Sequence, residues 1–306
     1  MNKYCAAIDF GTNTARLLIA EKTSSGIIPV HVERQVVRLG GGFTDEYGLS
    51  PEACDRGLSC LQKFSKIIAK YEVSHILATA TSAVRDAANG RDFVDKVHRD
   101  TGIQLIVIDG DMEARLTLEG VLSGLDSDSG MLVVLDVGGG STEFTISSHG
   151  SPVFIKSMPI GVVRLTEGFG THNEMIERVR SVINQLEKDL SVAGITVPGD
   201  STLVGTAGTA TTVAAIKLEM VDYDYRKVNN FIVSREYVAE IFQTLSAMNP
   251  QERLSIKGLE KGREDLIIAG LIIIASVMDA FGFTQLKVSD FGLLEGLALS
   301  GDMLSC

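Results

Sequence analysis

Asp136-Val137-Gly138-Gly139-Gly140-Ser141-Thr142-Glu143 follows an apolar run, Met131 to Leu135, that is typical of a buried strand. A second strand-like run, Phe144 to Ser148, comes directly after it. Glycines let backbone N–H groups converge on an anion because no Cβ atom stands in the way, and the Ser and Thr hydroxyls add donors. Asp136 offers the hard oxygen that Mg²⁺ prefers. The stretch therefore predicts a loop between two strands that binds phosphate and a metal ion.

The same pattern occurs near the start of the chain, where Ala6 to Ile8 leads into Asp9-Phe10-Gly11-Thr12-Asn13-Thr14 and then into a second apolar run. Neither copy is a GxxxxGK[ST] loop, and neither is a GxGxxG loop that opens a helix. One Asp-x-Gly turn is ordinary, since Gly after Asp is common turn chemistry. Two copies between strand-like runs predict a duplicated fold whose two loops face one another across a cleft.

Length, composition and charge limit the possible functions. The 306 residues are 45% hydrophobic and 22% charged, which fits a globular protein of two domains. The formal net charge of −11 disfavours nonspecific nucleic-acid binding, which needs a basic surface. Residues 1–125 hold 16 acidic and 14 basic side chains, whereas residues 126–306 hold 23 and 14. The basic contacts to a polyanion should therefore come mainly from the first half.

The compartment is predicted from cysteines and apolar runs. The four cysteines are Cys5, Cys54, Cys60 and Cys306, with no CxxC pair, and they read as free thiols of a reducing cytoplasm. The N-terminus lacks a signal-peptide pattern. The run from Leu266 to Met278 is too short to span a bilayer and predicts a buried helix. We expect a cytoplasmic protein without a membrane anchor.

Three further segments have the chemistry of anion sites. Thr81 to Gly90 follows a short strand and carries Arg85 at a helix start. Glu113 lies in the first turn of another helix, where a carboxylate either stabilises the dipole or points into the cleft. Gly205 to Thr212 reads equally well as a phosphate or ribose contact and as a tightly packed helix start.

A polar, breaker-rich stretch, Gly124 to Gly130, predicts a domain boundary.

Together these segments resemble the exopolyphosphatase and guanosine pentaphosphate phosphatase family, within the actin-like, ribonuclease-H-like ATPase superfamily. The matching segments include Ala7 to Leu18, Thr81 to Ala87, Glu113 to Leu116, Asp136 to Glu143 and Ser289 to Gly296, in family order. The resemblance implies an α/β fold of two ribonuclease-H-like domains, 1–125 and 126–289, with a last helix at about 290–306 that packs back on the first. It also implies a homodimer and Mg²⁺-dependent release of a terminal phosphate from inorganic polyphosphate or from guanosine pentaphosphate.

The resemblance also assigns roles to particular residues. Glu113 matches the catalytic base, and Arg85 matches a phosphate contact. Asp136 and Glu143 match metal positions, to which Asp9 is added by its place before the first loop. The expected phosphate-binding residues of the two loops are Gly11, Thr12, Asn13, Thr14, Gly138, Gly139, Gly140, Ser141 and Thr142.

Other readings remain open at this point. A sugar or acetate kinase, or an Hsp70-like ATPase, shares the Asp-x-Gly loops but not the Thr-Ser-Ala-x-Arg and Glu-Ala-Arg-Leu segments. A non-catalytic sensor of guanosine polyphosphates or nucleotides would not need Glu113, Asp136 and Glu143 together. Long family members carry a helical C-terminal extension, and this sequence ends at Cys306. We therefore expect modest processivity on long polyphosphate chains.

Overall fold

The computed structural model describes residues 4–23, 26–126 and 130–300. The chain divides into two compact units: unit 1 is Met1–Ser123 with Gly292–Cys306, and unit 2 is Gly124–Phe291. Cys306 and part of the predicted boundary stretch, residues 127–129, lie outside the described residues. None of the helices in the described part has the length and apolar character needed to cross a bilayer.

The elements of unit 1 follow the predicted order, with a hairpin first and helices after it. The first part of the chain forms β1 (Tyr4–Phe10), β2 (Thr14–Thr23), β3 (Gly26–Val36), α1 (Pro51–Ile68), β4 (Val73–Ala80), α2 (Ser82–Arg85), α3 (Gly90–Thr101), β5 (Leu105–Val107) and α4 (Gly110–Gly124). Helix α1 begins as its sequence predicts, because the Ser50 side chain accepts the Ala53 N–H and Pro51 occupies the first turn. Helix α3 ends at Gly102, which adopts the left-handed conformation.

Unit 2 has a longer run of alternating strands and helices. It forms β6 (Met131–Val137), β7 (Thr142–Ser148), β8 (Ser151–Met158), α5 (Val162–Gly168), α6 (His172–Val192), β9 (Thr202–Thr206), α7 (Ala207–Lys217), α8 (Tyr225–Val228), β10 (Ile232–Ser234), α9 (Arg235–Ser246), α10 (Pro250–Arg253), α11 (Ile267–Phe281) and β11 (Gln285–Val288). The last helix, α12 (Leu293–Ser300), belongs to unit 1.

The two sheets repeat one topology within the described residues. The sheet of unit 1 has the order β3-β2-β1-β4-β5, and that of unit 2 has the order β10-β11-β9-β6-β7-β8. In each sheet a central strand, β1 or β6, pairs antiparallel with the next strand and parallel with a later one. The predicted duplication is thus confirmed, and each Asp-Gly loop lies at the turn of the equivalent hairpin. The cleft expected between the loops stays a prediction.

Hydrophobic packing explains why these elements form. Strand β6 is paired on both sides and its residues from Leu132 onward are buried, which accounts for its continuous apolar sequence. Helix α11 is apolar on all sides because it is buried among helices of unit 2. In unit 1, Leu293, Leu294 and Leu297 of α12 pack against residues of β1 and β2.

Some element boundaries differ from those expected. The last helix begins at Leu293, a few residues after the expected start at about residue 290, and the Ser289 hydroxyl donates to the Phe291 carbonyl. The apolar helix spans Ile267–Phe281, so it begins one residue after the start of the apolar run and extends beyond its end at Met278. Strand β10 and helix α8 were not expected, because segments of three or four residues are too short to show a periodicity.

Candidate active site

The first loop, Gly11 to Asn13, is closed by a bond from the Gly11 N–H to the Thr14 carbonyl (3.1 Å). The carbonyl of Asn13 accepts the N–H groups of Val37 and Arg38, and the carbonyl of Thr12 accepts that of Gly40, each at 2.9 Å. Within the described residues, the N–H groups of Thr12 and Asn13 donate no hydrogen bond. The loop is therefore held in place through its backbone carbonyls, and the N–H groups of Thr12 and Asn13 remain available to an anion.

Side chains of this loop connect it to its surroundings. Thr12 Oγ1 and Ser82 Oγ share a buried hydrogen bond of 2.8 Å, which ties the loop to the start of α2. The Asn13 amide nitrogen lies 3.4 Å from Thr14 Oγ1. The Asn13 Oδ1 atom is buried and accepts no hydrogen bond in the described part of the chain. Such an orphaned oxygen suits a hydrated metal ion or an ordered water.

Asp9 forms an ion pair with Arg16. It lies opposite Arg16 in the β1–β2 register, and its Oδ2 accepts both Arg16 Nε (3.1 Å) and Nη2 (2.9 Å). Asp9 is 9% exposed. The ion pair offsets the cost of burying this carboxylate, and it leaves Oδ1 as the oxygen that can face a metal ion.

Glu113 and Arg85 come together although they are 28 residues apart. Glu113 lies in the first turn of α4 and is 8% exposed. Arg85 Nη1 donates to Glu113 Oε2 at 3.4 Å and to the backbone carbonyl of Ile108 at 3.1 Å. The sequence predicted both residues as site residues, and the structure places them in direct contact.

The second loop, residues 138–141, is braced in the same way as the first. The Gly138 N–H donates to the Ser141 carbonyl (3.0 Å). The carbonyls of Gly138 and Gly139 accept N–H groups of Val162, Val163 and Arg164 at the start of α5. Arg164 Nε donates to the Gly140 carbonyl at 2.9 Å. The N–H groups of Gly139, Gly140 and Ser141 make no hydrogen bond within the described residues and remain available.

The Thr142 hydroxyl donates to the backbone carbonyl of Ile160. Thr142 is fully buried, and its hydroxyl anchors the loop to the segment before α5. Phosphate binding by Thr142 stays a prediction. Sequence reasoning missed this role, because the partner lies beyond the next strand.

Asp136 and Glu143 occupy directly opposed positions of β6 and β7. Both are buried, at 8% and 1% exposure, and Glu143 Oε1 accepts the Ser157 hydroxyl at 2.8 Å. Opposed side chains of an antiparallel pair lie on one face of the sheet, where two carboxylates repel each other. A cation between them would relieve this repulsion, so the pair fits a divalent metal.

The described residues hold no group of three or more His, Cys, Asp and Glu side chains arranged to bind a metal ion. Mg²⁺ usually keeps several waters and takes only one or two carboxylates, with substrate phosphates completing its octahedron. Two carboxylates beside a phosphate loop agree with that mode of binding. They do not resemble a closed structural site.

Strand β9 passes directly into α7 within the segment Gly205 to Thr212, whose role the sequence left open. Ala207 adopts a left-handed backbone (φ 61°), which is strained for a residue with a side chain. A Cβ at Gly208 would lie 2.0 Å from Arg263 Nη1, so the guanidinium packs directly on this glycine. Arg263 is 8% exposed, and its Nε donates to Glu260. No motif in the sequence pointed to Arg263, because its contact is made across the fold.

Comparison with known proteins gives the family. The model of the Ppx/GppA phosphatase family matches residues 18–304. The chain belongs to this family. The resemblance drawn from the sequence motifs is therefore confirmed, and the protein is assigned to a family of phosphatases.

Individual relatives agree with that assignment. Exopolyphosphatase 2 of Mycobacterium tuberculosis is 34% identical over 96% of this chain and 97% of its own length. A bifunctional 3-dehydroquinate synthase/phosphatase of Fusobacterium nucleatum is 36% identical over 97% of this chain, which spans only 46% of that protein. The crystal structure of an exopolyphosphatase from Cytophaga hutchinsonii superposes with a TM-score of 0.87, at 29% identity and with 99% and 98% of the two chains covered. The two-domain α/β fold expected from the sequence is confirmed.

Proposed function

We propose that the protein is an exopolyphosphatase that releases terminal orthophosphate from inorganic polyphosphate. Its Ppx/GppA family membership and its 34% identity to Exopolyphosphatase 2 support the substrate class. The observation that carries the mechanism is the buried Glu113 carboxylate in contact with Arg85, in the unit that also holds the loop of residues 11–14. A carboxylate beside a phosphate-binding cation is suited to directing water at a phosphoryl group.

The reaction is a hydrolysis without a covalent intermediate. A water oxygen attacks the terminal phosphorus, and Glu113 accepts the proton that this water loses. The bond from the terminal phosphorus to the bridging oxygen breaks, and its electron pair stays on the shortened chain. Phosphoryl transfer depends chiefly on positioning and charge neutralisation, so the proposed reaction needs no nucleophilic side chain.

The phosphate oxygens would be bound by backbone donors and by Arg85. Unit 1 offers the N–H groups of Thr12 and Asn13, and unit 2 offers those of Gly139, Gly140 and Ser141. In unit 2, Asp136 and Glu143 would hold Mg²⁺, and in unit 1 Oδ1 of Asp9 is the carboxylate oxygen available to a metal ion. When bound, the metal ion would polarise phosphoryl oxygens and neutralise charge in the transition state.

Guanosine pentaphosphate is the second substrate to test, because the sequence motifs also resemble those of guanosine pentaphosphate phosphatases and both substrates end in a phosphoanhydride. Initial rates on long polyphosphate, short polyphosphate and guanosine pentaphosphate at equal Mg²⁺ concentration rank the substrates. Dominant release from guanosine pentaphosphate would replace the proposed substrate, and phosphate transfer from ATP to an acceptor would replace the reaction class.

The catalytic role of Glu113 is tested by Glu113→Gln, which keeps the shape of the side chain but removes its basicity. Turnover should fall by about 10²–10⁴-fold, the usual contribution of a general base. Polyphosphate binding, measured by calorimetry, should persist. Glu119→Gln on the same helix makes an equal change away from Arg85 and should retain activity. Normal turnover in Glu113→Gln would refute the mechanism.

A further inference from the structure

Arg85 makes contacts that go beyond binding a phosphate. It is the last residue of α2, and its guanidinium lies against the start of α4. Nη1 contacts both the Ile108 carbonyl (3.1 Å) and Glu113 Oε2 (3.4 Å), and Nε lies 3.5 Å from Asp86 Oδ1. Three acceptors therefore fix the plane of the guanidinium relative to the carboxylate of Glu113.

The bond to the Ile108 carbonyl fixes the position of the Arg85 guanidinium relative to the start of α4. Ile108 lies two residues before Gly110, the first residue of α4, and the Glu113 N–H donates to the Asp109 carbonyl (3.0 Å). The same nitrogen of Arg85 thus touches the backbone before the helix and the side chain in its first turn. A free glutamate samples several rotamers, whereas this arrangement favours the one that meets Nη1.

The other edge of the guanidinium is open. Within the described residues, Nη2 of Arg85 donates no hydrogen bond, and the side chain is 24% exposed. A guanidinium carries five N–H donors in a rigid planar fork, so one edge can bind phosphate while the other keeps its carboxylate. Arg85 can therefore contact Glu113 and a phosphate at the same time.

The opposite end of α2 is tied to the first phosphate loop. The buried hydrogen bond between Ser82 and Thr12 joins the first residue of α2 to that loop. Helix α2 is thus bonded to the loop through Ser82 at its first residue and ends with Arg85 at its last. A displacement of the loop would be transmitted to the guanidinium over a short, helical path.

We propose that Arg85 is a positioning residue for Glu113: its Nη1 holds the base while its Nη2 binds the phosphoryl group under attack. This inference rests on the proposed function. One planar group then sets the distance between the base and the phosphorus. The guanidinium also offsets the charge of Glu113, which would otherwise repel a polyanion entering the site.

A double-mutant cycle with Arg85→Lys and Glu113→Gln tests this role. Lysine keeps the positive charge but offers a single nitrogen, which cannot hold the base and the phosphate in fixed geometry. In the wild-type background Arg85→Lys should lower kcat by about 10²-fold, the cost of a misplaced catalytic group, with a smaller change in KM. In the Glu113→Gln background the same substitution should lower the residual kcat by less than about threefold, because there is no longer a base to position.

If Arg85→Lys proves unstable, Glu113→Asp gives a second test of the positioning role. Glu113→Asp leaves Arg85 intact but draws the carboxylate back by one methylene, and it should also lower kcat with little change in KM. Arg99→Lys is the matched control, since Arg99 is exposed on α3, and it should leave both constants unchanged. Circular dichroism and thermal melting verify that each variant is folded.

The outcomes separate this inference from the proposed function. If Glu113→Gln lowers kcat as expected but the two kcat losses multiply, Arg85 does not act through Glu113 and the positioning role is refuted. If Arg85→Lys changes only KM, Arg85 binds phosphate and nothing more. If Glu113→Gln itself turns over normally, the proposed mechanism fails, whatever Arg85 does.

Discussion

At the scale of single residues, most charged groups of the candidate site are buried next to a partner. Asp9 meets Arg16, Glu113 meets Arg85, and Glu143 accepts the Ser157 hydroxyl. Buried carboxylates are stable only when paired, hydrogen-bonded or bound to a metal ion. These contacts orient the acidic side chains.

The opposed carboxylates of Asp136 and Glu143 lead to a prediction about Mg²⁺. Asp136→Asn should weaken Mg²⁺ activation roughly 10–100-fold, the range seen when groups of a metal site are altered. Mg²⁺ should raise the melting temperature of the native protein, since a bound ligand stabilises the folded state, and less so that of the variant. Asp200→Asn, an exposed change in unit 2, is the control. Full activity in EDTA, or equal shifts in both proteins, would exclude a metal role for Asp136.

The cysteines of α1 lead to a prediction about reactivity. Burial raises the pKa of the Cys60 thiol to about 12, and it also raises that of the partly exposed Cys54. A raised pKa means less thiolate at neutral pH, and the thiolate is the reactive form. Iodoacetamide at neutral pH should therefore label Cys54 before Cys60, as read by peptide mass spectrometry, and Cys60 only after unfolding. Early labelling of Cys60 would show that α1 opens readily.

At the scale of elements, the two Asp-Gly loops are shaped by their neighbours. The loop of residues 11–13 is bonded to the segment of residues 37–40, and the loop of residues 138–141 is bonded to the start of α5. In both, carbonyls are used for support and several N–H groups stay available. The local sequence explains the turn itself, whereas a distant segment fixes its backbone.

Gly161, which precedes α5, is predicted to be irreplaceable by alanine. A Cβ there would lie 2.4 Å from the Gly139 carbonyl oxygen, so the second loop would have to move. Gly161→Ala should destabilise the fold by about 1–3 kcal/mol and reduce turnover, because overpacking against backbone is poorly relieved. Gly168→Ala, where a Cβ meets nothing within 4 Å, is the matched control. Thermal melting and steady-state kinetics measure both effects, and equal behaviour of the two variants would contradict the packing argument.

At the scale of the whole molecule, the distribution of charge limits how polyphosphate, the proposed substrate, can be bound. The net charge is −11, with a balance of −2 in residues 1–125 and −9 in residues 126–306. A polyphosphate chain carries about one negative charge per phosphate, and a long track for it needs continuous positive potential. The acidic second half offers little of that potential.

We therefore predict modest processivity and a preference for short or intermediate chains. A uniform long polyphosphate should shorten gradually, which gel electrophoresis shows as a descending ladder. Added salt should weaken binding, because the contacts are electrostatic and are screened at a Debye length of about 8–10 Å. Full-length chains beside free phosphate, with no intermediates between them, would demonstrate high processivity and overturn the prediction.

The sequence by itself determined most of the strands, the two Asp-Gly loops and the family, because each is carried by short motifs of residues that are close together in the chain. The apolar run before Asp136 and the glycines after it suffice to predict a strand and a turn. Only the tertiary structure decided that Arg85 contacts Glu113, that Arg263 packs on Gly208 and that Thr142 bonds to the Ile160 carbonyl. These contacts join segments that the fold brings together, and a side chain's partner across the fold depends on packing and register, which no local pattern encodes.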